Sequence, residues 1–420
     1  MSDQTSTIPK GWETTTLDKI AEPSKLQWKP GDKDQKYIGL EHINQGELSI
    51  NGYGHSSKLE SNKFYFNKGD VLFGKLRPYF RKVWKANFNG VCSTDIWVLK
   101  TKSGFDQNYL FYFVANPLFI NKSMGANIGT HMPRADWHFL KNTQWNIPTL
   151  PEQQAIAALL SSLDDKIELL REQNKTLEAI AQAIFKEWFV DFEFPNEDGN
   201  PYKSSGGKMI DSEFGDIPNA WNVETIAQIT SKVTKGTTPT TIGGKFSDSG
   251  INFIKAESIT NDHYFDMAKF SYIDVETNEL LSRSVVCEGD LLYSIAGTIG
   301  RFAVVPKSIL PANTNQAVAI IRANEEMVDP FYLQCMLSLQ SIRETLIGNV
   351  VEAVQANLSL TSLRDTKIII PDVNGLNLFR VKIRILFDKI ILNNSQIQTL
   401  SNIRDTLLPK LMKGEIRVKV

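Results

Sequence analysis

A run of basic and aromatic residues between positions 71 and 94 has side chains suited to nucleic-acid contact. The run contains five basic residues and no acidic residue, with aromatic residues interleaved. Basic side chains neutralise phosphates, and aromatic side chains can brace contacts to bases. The basic members are Lys75, Arg77, Arg81, Lys82 and Lys85, and the aromatic members are Phe73, Tyr79, Phe80 and Trp84. The alternative is a solvated strand face whose aromatic residues lie in the core.

A second set of polar residues lies between positions 235 and 316. Segment 235–245 is rich in glycine and threonine, so its backbone N–H groups can approach phosphates closely. Asparagine and glutamine can bind the edge of adenine through two hydrogen bonds. The candidates for DNA contact are Lys235, Thr237, Lys245, Lys255, Ser258, Arg301, Asn313, Thr314, Asn315 and Gln316. For Asn313 and Asn315, ordinary turn formation is an equally favoured alternative.

Motifs for catalysis are incomplete. Asp329-Pro330-Phe331-Tyr332 and Asn116-Pro117-Leu118-Phe119 resemble the D/N-P-P-Y/F motif of amino-methyltransferases, but both lack its second proline. We interpret these segments as helix N-caps and turns. The sequence contains no phosphate-binding loop and no histidine–cysteine spacing typical of a metal site. We therefore predict no catalytic residue and no metal site.

The composition excludes several classes of protein. The chain has 420 residues, which predicts two to three domains, and its net charge of −1 excludes a globally basic nucleic-acid binder. Its three cysteines are far apart, so no disulfide framework is expected. The N-terminal residues lack an apolar signal core, and no apolar run reaches the length of a membrane span. A cytoplasmic protein is expected.

The chain repeats itself over slightly more than 200 residues. Short segments of the first half return in the second half, and their offset grows from 209 to 223 along the chain. The pairs include Ile8-Pro9 with Ile217-Pro218, Gly69-Asp70 with Gly289-Asp290, and Thr94-Asp95 with Thr314-Asn315. This pattern indicates a tandem duplication of one α+β domain and one connector. The alignment adds weaker candidates for DNA contact, namely Thr94, Asp95, His131, Arg134 and Asn357.

Two long helices are predicted by a seam of core positions that alternate in steps of four and three. The first seam begins at Ile156 and ends at Trp188, and the second begins at Phe379 and ends at Leu411. Such spacing over more than four heptads is typical of coiled coils. Residues 152–193 carry a net charge of −5 and residues 374–420 a net charge of +6, so the two helices are natural partners. The boundaries follow as domain 1–150, helix 151–193, linker 194–216, domain 217–372, and helix with tail 373–420.

An antiparallel arrangement follows from the duplication, because a repeated unit that pairs with itself does so around a pseudo-two-fold axis. This axis sets Ile156 opposite Leu411 and brings together Asn174 and Asn393, the two amides of the seams. A buried asparagine pair fixes register at some cost in stability. The seam spans about 48 Å at ~1.5 Å per residue, which corresponds to about 14 base pairs of duplex.

Several segments resemble the specificity (S) subunit of type I restriction-modification systems. Residues 147–167 and 183–192 look like the central conserved region of that family, and residues 404–416 look like its distal region. Ile8-Pro9…Trp12 and Ile217-Pro218…Trp221 look like the starts of two target recognition domains. The resemblance covers essentially the whole chain, although the recognition domains match only in outline.

The resemblance implies a non-catalytic scaffold. Each recognition domain would read one half of a split double-stranded DNA target, and the helices would hold the halves at fixed spacing. The helices would also recruit two methyltransferase subunits, which would carry S-adenosylmethionine, while this chain binds no cofactor; a restriction subunit is left open. The aromatic cluster Phe185, Trp188, Phe189 and Phe192 docks a methyltransferase subunit or packs beneath the recognition domains. Two alternatives remain, a coiled-coil adaptor without DNA specificity and a self-contained adenine methyltransferase.

Overall fold

The computed structural model describes residues 8–125, 133–348 and 357–419, and the chain forms two compact units. The first unit comprises residues 1–167 and 399–420, and the second comprises residues 168–398. Each unit therefore combines one repeated region with parts of both long helices.

The first region is an α+β domain with two main sheets. The strands are β1 (Glu13–Thr16), β2 (Ala21–Pro23), β3 (Gln27–Trp28), β4 (Lys36–Ile38), β5 (Gly54–His55), β6 (Lys63–Phe66), β7 (Val71–Gly74), β8 (Val83–Lys85), β9 (Gly90–Cys92), β10 (Ile96–Thr101) and β11 (Gln144–Ile147). One sheet has the strand order β2-β10-β7-β8 and the other the order β3-β6-β9-β4-β5, while β1 pairs with β11. The helices are α1 (Leu17–Ile20), α2 (Gln107–Ala115), α3 (Pro117–Met124) and α4 (Trp137–Leu140).

Helix α5 (Leu150–Phe189) leads into the second region, which repeats this plan. The strands are β12 (Met209–Ile210), β13 (Ile217–Pro218), β14 (Asn222–Thr225), β15 (Thr230–Lys235), β16 (Phe246–Ser247), β17 (Ile251–Ile254), β18 (Ser271–Ile273), β19 (Val285–Val286), β20 (Leu291–Ser294), β21 (Phe302–Val304), β22 (Ala312–Thr314), β23 (Val318–Ala323) and β24 (Lys367–Ile370). The main sheets of this region have the orders β15-β23-β20-β21 and β16-β18-β17-β22-β19. The helices are α6 (Val275–Leu280), α7 (Pro330–Ser338), α8 (Gln340–Gly348), α9 (Leu360–Asp365) and α10 (Val373–Lys413).

The duplication predicted from the sequence is confirmed by the strand pairing. Among the described strands, a parallel pair occurs in each region, β4 with β9 in the first and β17 with β22 in the second. Strands β10, β7 and β8 pair in the same order as β23, β20 and β21. The two halves therefore share the topology of these central strands. Their edge strands differ, because β3 pairs with β6 beside β9, whereas β16 pairs with β18 beside β17.

The repeated Gly-Asp dipeptide shows how local sequence produces the same turn twice. Gly69 and Gly289 both adopt a left-handed backbone, with φ of 93° and 82°. The following aspartates close the turn, since Asp70 accepts a hydrogen bond from the Asn67 N–H at 2.8 Å and Asp290 accepts one from the Cys287 N–H at 2.7 Å. Each turn delivers the chain into a fully buried strand, β7 or β20.

Helix starts follow the capping rules used in the prediction. Asp106 caps α2 through a hydrogen bond from the Tyr109 N–H, and Asp329 caps α7 through one from the Phe331 N–H. Asn116 caps α3 through the Leu118 N–H. Both segments that resemble the methyltransferase motif are thus helix N-caps.

Helices α5 and α10 pack along the predicted seams. In the second unit, Trp188 lies against Phe379, with 6.1 Å between ring centroids, and Asn174 contacts Asn393, so the helices run antiparallel there. In the first unit, Ile156 lies in one buried cluster with Leu408 and Leu411. The described seam positions are buried or half-buried throughout.

An ionic network replaces apolar packing at one level of the seam in the first unit. Arg404 of α10 contacts Asp164 of α5, with 2.8 Å between Nη1 and Oδ1, and its side chain is only 4% exposed. The hydroxyl of Tyr112 donates to the other oxygen of Asp164 at 2.6 Å. Both oxygens of Asp164 therefore have partners, as a partly buried carboxylate requires.

Candidate nucleic-acid interface

Three distant segments of the first region meet around the loop that follows β7. The Lys75 N–H donates to the Asp95 carbonyl at 2.9 Å, and the Arg77 N–H donates to the Pro133 carbonyl at 2.8 Å. Arg77 and Arg81 adopt left-handed backbones, with φ of 51° and 48°, on either side of a short 3₁₀ turn at Pro78–Phe80. These contacts bring together residues that the sequence analysis took from three separate segments.

This loop and its neighbours carry positive charges, one of which is paired with a carboxylate. Arg134 lies 2.8 Å from the carboxylate of Asp95, so Asp95 orients a cation rather than repelling a phosphate. Burial lowers the pKa of Lys75, an effect that Asp95 opposes and Arg134 reinforces. Thr94 is exposed beside them. Lys75, Arg77 and Arg134 thus form the cationic part of the candidate interface in this region.

The remaining bases of the run make contacts within the protein. Lys82 Nζ donates to the Leu40 carbonyl at 2.5 Å, and Lys85 Nζ donates to Asn108 Oδ1 at 3.0 Å. The sequence predicts that Arg81 contacts DNA, but its guanidinium is mostly buried and pairs with Asp405 of α10 at 2.9 Å. Arg81 is therefore a structural residue. The run therefore does not form one continuous phosphate-binding face.

In the second region, the loop after β15 is fastened onto residues 314–316. Gly236 lies so close to this segment that a Cβ atom would be 2.0 Å from the Thr314 carbonyl oxygen. The Thr237 N–H donates to the same carbonyl at 3.2 Å, and the Thr238 hydroxyl donates to Gln316 Oε1. Glycine is needed at position 236 because any side chain would collide with the backbone.

Exposed cations surround this loop. Lys235 and Lys245 are exposed at its two ends, and Lys255 lies 5.2 Å above the ring of Phe246. Arg283, which the sequence analysis missed, is exposed and donates to the Thr237 hydroxyl at 3.4 Å. No local pattern distinguishes Arg283 in the sequence, because its position depends on a contact between residues 46 apart.

Three polar candidates of the second region are buried and are corrected to structural residues. Asn313 lies on β22, where its amide donates to Asn278 Oδ1 at 2.9 Å and its oxygen accepts from Ser284 at 2.8 Å. The Thr314 hydroxyl donates to the Ile254 carbonyl at 2.8 Å, and the Ser258 hydroxyl donates to the Lys269 carbonyl at 3.2 Å. Buried polar groups need such partners, so these side chains are unavailable to bases.

Other candidates keep different degrees of exposure. Asn315 accepts from the Ala317 N–H at 3.2 Å, which is the turn chemistry weighed as its alternative, while Gln316 is exposed. Arg301 is half-buried and donates to the Ile259 carbonyl at 3.3 Å. His131 lies outside the described residues.

Asn357 occupies a place in the second region that matches Arg134 in the first. Arg134 forms an isolated β-bridge with Leu76, and Asn357 forms one with Ala296. Both side chains are exposed. In the second region the Ile295 N–H also donates to the Ala317 carbonyl at 2.9 Å. A similar three-segment arrangement therefore occurs in both regions, although its side chains differ.

The aromatic cluster at the end of α5 is buried within the second unit. Phe185, Trp188, Phe189 and Phe192 all belong to its core, where Phe189 packs against Trp221 with ring centroids 5.5 Å apart. The prediction that this cluster docks a partner is wrong for the described structure. The alternative, packing beneath the recognition region, is what these contacts show.

Residues 8–125, 133–348 and 357–419 contain no group of three or more histidine, cysteine or acidic residues that could hold a metal ion. Burial raises the pKa of the Cys92 and Cys335 thiols, which disfavours the reactive thiolate at neutral pH. Over the same part of the chain, no helix is long and apolar enough to cross a membrane.

Comparison with known proteins places this geometry in a family. The family described as the type I restriction modification DNA specificity domain matches residues 9–179 and 218–399, which is most of the chain and both regions. This chain belongs to that family. Its two domain copies coincide with the duplicated halves seen in the sheets.

Curated relatives and a solved structure agree with this assignment. The chain is 28% identical to the type I restriction enzyme MjaIX specificity subunit of Methanocaldococcus jannaschii, over 98% of this chain and 95% of the relative. It is 24% identical to the HindI specificity subunit of Haemophilus influenzae, over 90% and 95% of the two chains. The crystal structure of an S subunit from M. genitalium has the same fold, with a TM-score of 0.51 at 15% identity over 98% of each chain.

Membership in this family distinguishes between the functional hypotheses drawn from the sequence. The expected duplicated α+β fold with long helices is confirmed. The alternatives, an adaptor without DNA specificity and a self-contained adenine methyltransferase, find no support in these comparisons.

Proposed function

We propose that this chain is the DNA-reading subunit of a type I restriction-modification complex and that each region reads one half of a split duplex target. The observation that carries this proposal is the recurrence of one three-segment loop arrangement in both regions. In the first region it carries the half-buried Lys75 and Arg77 and the exposed Arg134, and in the second region exposed cations surround the loop at residues 235–245. Two similar DNA-reading regions that are both attached to a pair of helices suit a DNA target with two half-sites.

The two half-sites would differ in sequence because the two loop surfaces differ. The first carries Lys75, Arg77 and Arg134, and the second carries Lys235, Lys245 and Arg283, with Gln316 exposed nearby. Cations supply affinity through phosphates without regard to sequence. An exposed amide such as Gln316 can discriminate adenine in the major groove.

Outer faces of both long helices support binding of two equivalent partner subunits. Leu169 on α5 and Leu392 on α10 are aligned by the duplication, and both are exposed. Ile180 and Ile403 are a second aligned pair and are also exposed. Because apolar residues at matching outer positions favour the same occupant twice, methyltransferase subunits are the proposed partners. Restriction subunits would join the same assembly in the cytoplasm.

The chain would contribute recognition but not chemistry. Transfer of a methyl group to adenine requires a cofactor site for S-adenosylmethionine, which we assign to the partner methyltransferase. The part left to this chain is to place the target adenines within reach of that partner. Loss of this chain should therefore abolish site choice and methylation together.

Methylation mapping in cells tests the proposal. Genomes are sequenced for modified adenine in cells that carry this chain with its neighbouring methyltransferase and in cells that lack this chain alone. A split motif that disappears without the chain is the expected result. A motif that persists would show that another chain sets the specificity, and absence of any motif in both strains would contradict the proposed partnership.

A further inference from the structure

The loop that carries Lys75 and Arg77 is tied at its far end to helix α10. Arg81, which closes this loop, donates from Nη2 to Asp405 Oδ1 at 2.9 Å. The side chain of Arg81 is 18% exposed and that of Asp405 is 41% exposed. A candidate DNA-contacting loop therefore rests directly on the helix.

The helix end of this connection is held in place by further contacts. Arg404 contacts Asp405, with 3.2 Å between Nε and Oδ1, while also pairing with Asp164 of α5. Burial acts to raise the pKa of Asp405, but Arg81 and Arg404 outweigh it and hold that pKa below its usual range. Asp405 thus stays ionised, and its orientation is fixed by two guanidinium groups rather than one.

The second unit carries a different set of residues at the aligned positions. Arg301 aligns with Arg81 but donates to the Ile259 carbonyl at 3.3 Å. The positions of Arg404 and Asp405 hold Ala181 and Gln182, and that of Asp164 holds Phe387, so none of the three is charged. The ionic connection from loop to helix is a feature of the first unit.

We infer that Arg81 and Asp405 are positioning residues that hold the loop at residues 75–82 at a fixed angle to α10 and thereby restrict the gap length of the DNA target. This inference rests on the proposed function. With the ion pair intact, Lys75 and Arg77 contact the DNA duplex at one fixed position along α10. Without it, both cations remain but the loop can tilt, so targets with a slightly shorter or longer gap are also accepted.

Plasmid methylation by the intact complex in cells measures this effect. Three plasmids carry the mapped motif with its natural gap, with one base pair removed and with one base pair added. The measured quantity is the ratio of adenine methylation at the natural gap to methylation at the altered gaps. For Asp405→Asn and Arg81→Gln we expect this ratio to fall about fivefold, as suits the loss of one partly exposed ion pair.

A control variant on the same helix separates positioning from a general loss of charge. Asp388 pairs with Arg384, which lies one helical turn before it on α10, with 2.9 Å between Oδ1 and Nε. Both side chains are exposed. Asp388→Asn removes the same charge from α10 without removing a contact of the loop at residues 75–82, and it should keep the wild-type ratio. Asp405→Glu and Arg81→Lys keep both charges at altered reach and should give intermediate ratios.

The outcomes distinguish this inference from the proposed function. If the wild-type chain directs no motif, the proposed function fails before any variant is compared. If the motif is present and Asp405→Asn and Arg81→Gln keep the wild-type ratio, the positioning role is overturned. Should Asp405→Asn abolish methylation altogether, wild-type ratios in both Asp405→Glu and Arg81→Lys would overturn it equally.

Discussion

Asn393 donates from Nδ2 to Oδ1 of Asn174 at 2.9 Å, across the two helices of the second unit. Asn174 in turn donates to Oδ1 of Asn394 at 2.8 Å, so three amides form a short chain. Asn393 is fully buried, and its own oxygen finds no partner among the described residues. The pair is where the two-fold registration of the seams placed it, and an imperfectly satisfied amide pair suits a role in register rather than in stability.

Replacing this amide pair tests its role in register. Asn393→Leu alone should lower the free energy of unfolding by about 1 kcal/mol, because Asn174 loses its donor in a half-buried site. Adding Asn174→Leu should recover that loss or exceed it, since two leucines pack well at a seam. Urea denaturation of both variants measures the difference. Asn377→Leu, at an exposed position of α10, serves as the control and should change stability by less than about 0.5 kcal/mol.

The cationic loop of the first region should contribute affinity without sequence preference. Lys75→Ala combined with Arg77→Ala should weaken binding to all duplexes and reduce the salt dependence by about two ionic contacts. Titrations against salt with the purified complex measure both quantities. Lys100→Ala is the control, because Lys100 lies 3.5 Å from Asp70 within the domain. An unchanged salt dependence in the double variant would remove this loop from the interface.

The ionic level of the seam predicts a specific rescue. Asp164→Ala should destabilise the first unit by about 3 kcal/mol, since it leaves the buried Arg404 without its main partner. Asp164→Phe together with Arg404→Ala installs the aligned residues of the second unit, Phe387 and Ala181, both of which are buried there. This double variant should recover part of the loss in thermal unfolding. A double variant less stable than Asp164→Ala would show that the surroundings no longer accept apolar packing.

A cavity in the second unit makes stability depend on pH. Glu178 lines this cavity with His263, and burial, together with the negative charge of Asp262, raises the pKa of Glu178 to about 7 against the opposing effect of Lys175. Because the folded pKa exceeds the unfolded value of 4.5, this stabilising contribution is complete below pH 4.5 and is lost as pH rises through about 7.

The variant Glu178→Gln isolates that contribution. Relative to the wild type, the variant should gain up to about 3 kcal/mol of stability between pH 4.5 and 7.5. Burial lowers the pKa of His263, so its contribution is lost as pH falls below 6.5, which is the opposite direction. Both proteins contain His263, so the difference between their urea denaturation curves at each pH reports Glu178. A difference in the free energy of unfolding that stays constant with pH would contradict the raised pKa of Glu178.

The sequence allowed the duplication, the seam and the helix caps to be predicted, because each is written in local spacing. Steps of four and three survive any loop insertion, and Asp329 and Asn116 cap helices through their own neighbours. Positions that face a seam can thus be found without knowledge of the tertiary structure. Local spacing does not explain a charged residue at such a position, as with Arg404, because its partner Asp164 lies 240 residues away.

The candidate interface was predicted less well because exposure depends on strand pairing rather than on residue type. Asparagine is typical of loops, yet Asn313 lies on β22 between two neighbouring strands. Arg81 fits a basic run, yet a left-handed turn directs it to a helix 324 residues away. In this chain Asn313 and Arg81 serve folding although their residue types also suit recognition, and only their contacts separate the two roles.

The unlike pairs Asp164–Arg404 and Phe387–Ala181 have an evolutionary consequence. Two identical first halves would set Asp164 against Ala181, and two identical second halves would set Arg404 against Phe387. At this level of the seam each half therefore complements the other half and not a copy of itself. A chimaeric chain that exchanges one DNA-reading region should keep this pairing only if both helices come from the same parent.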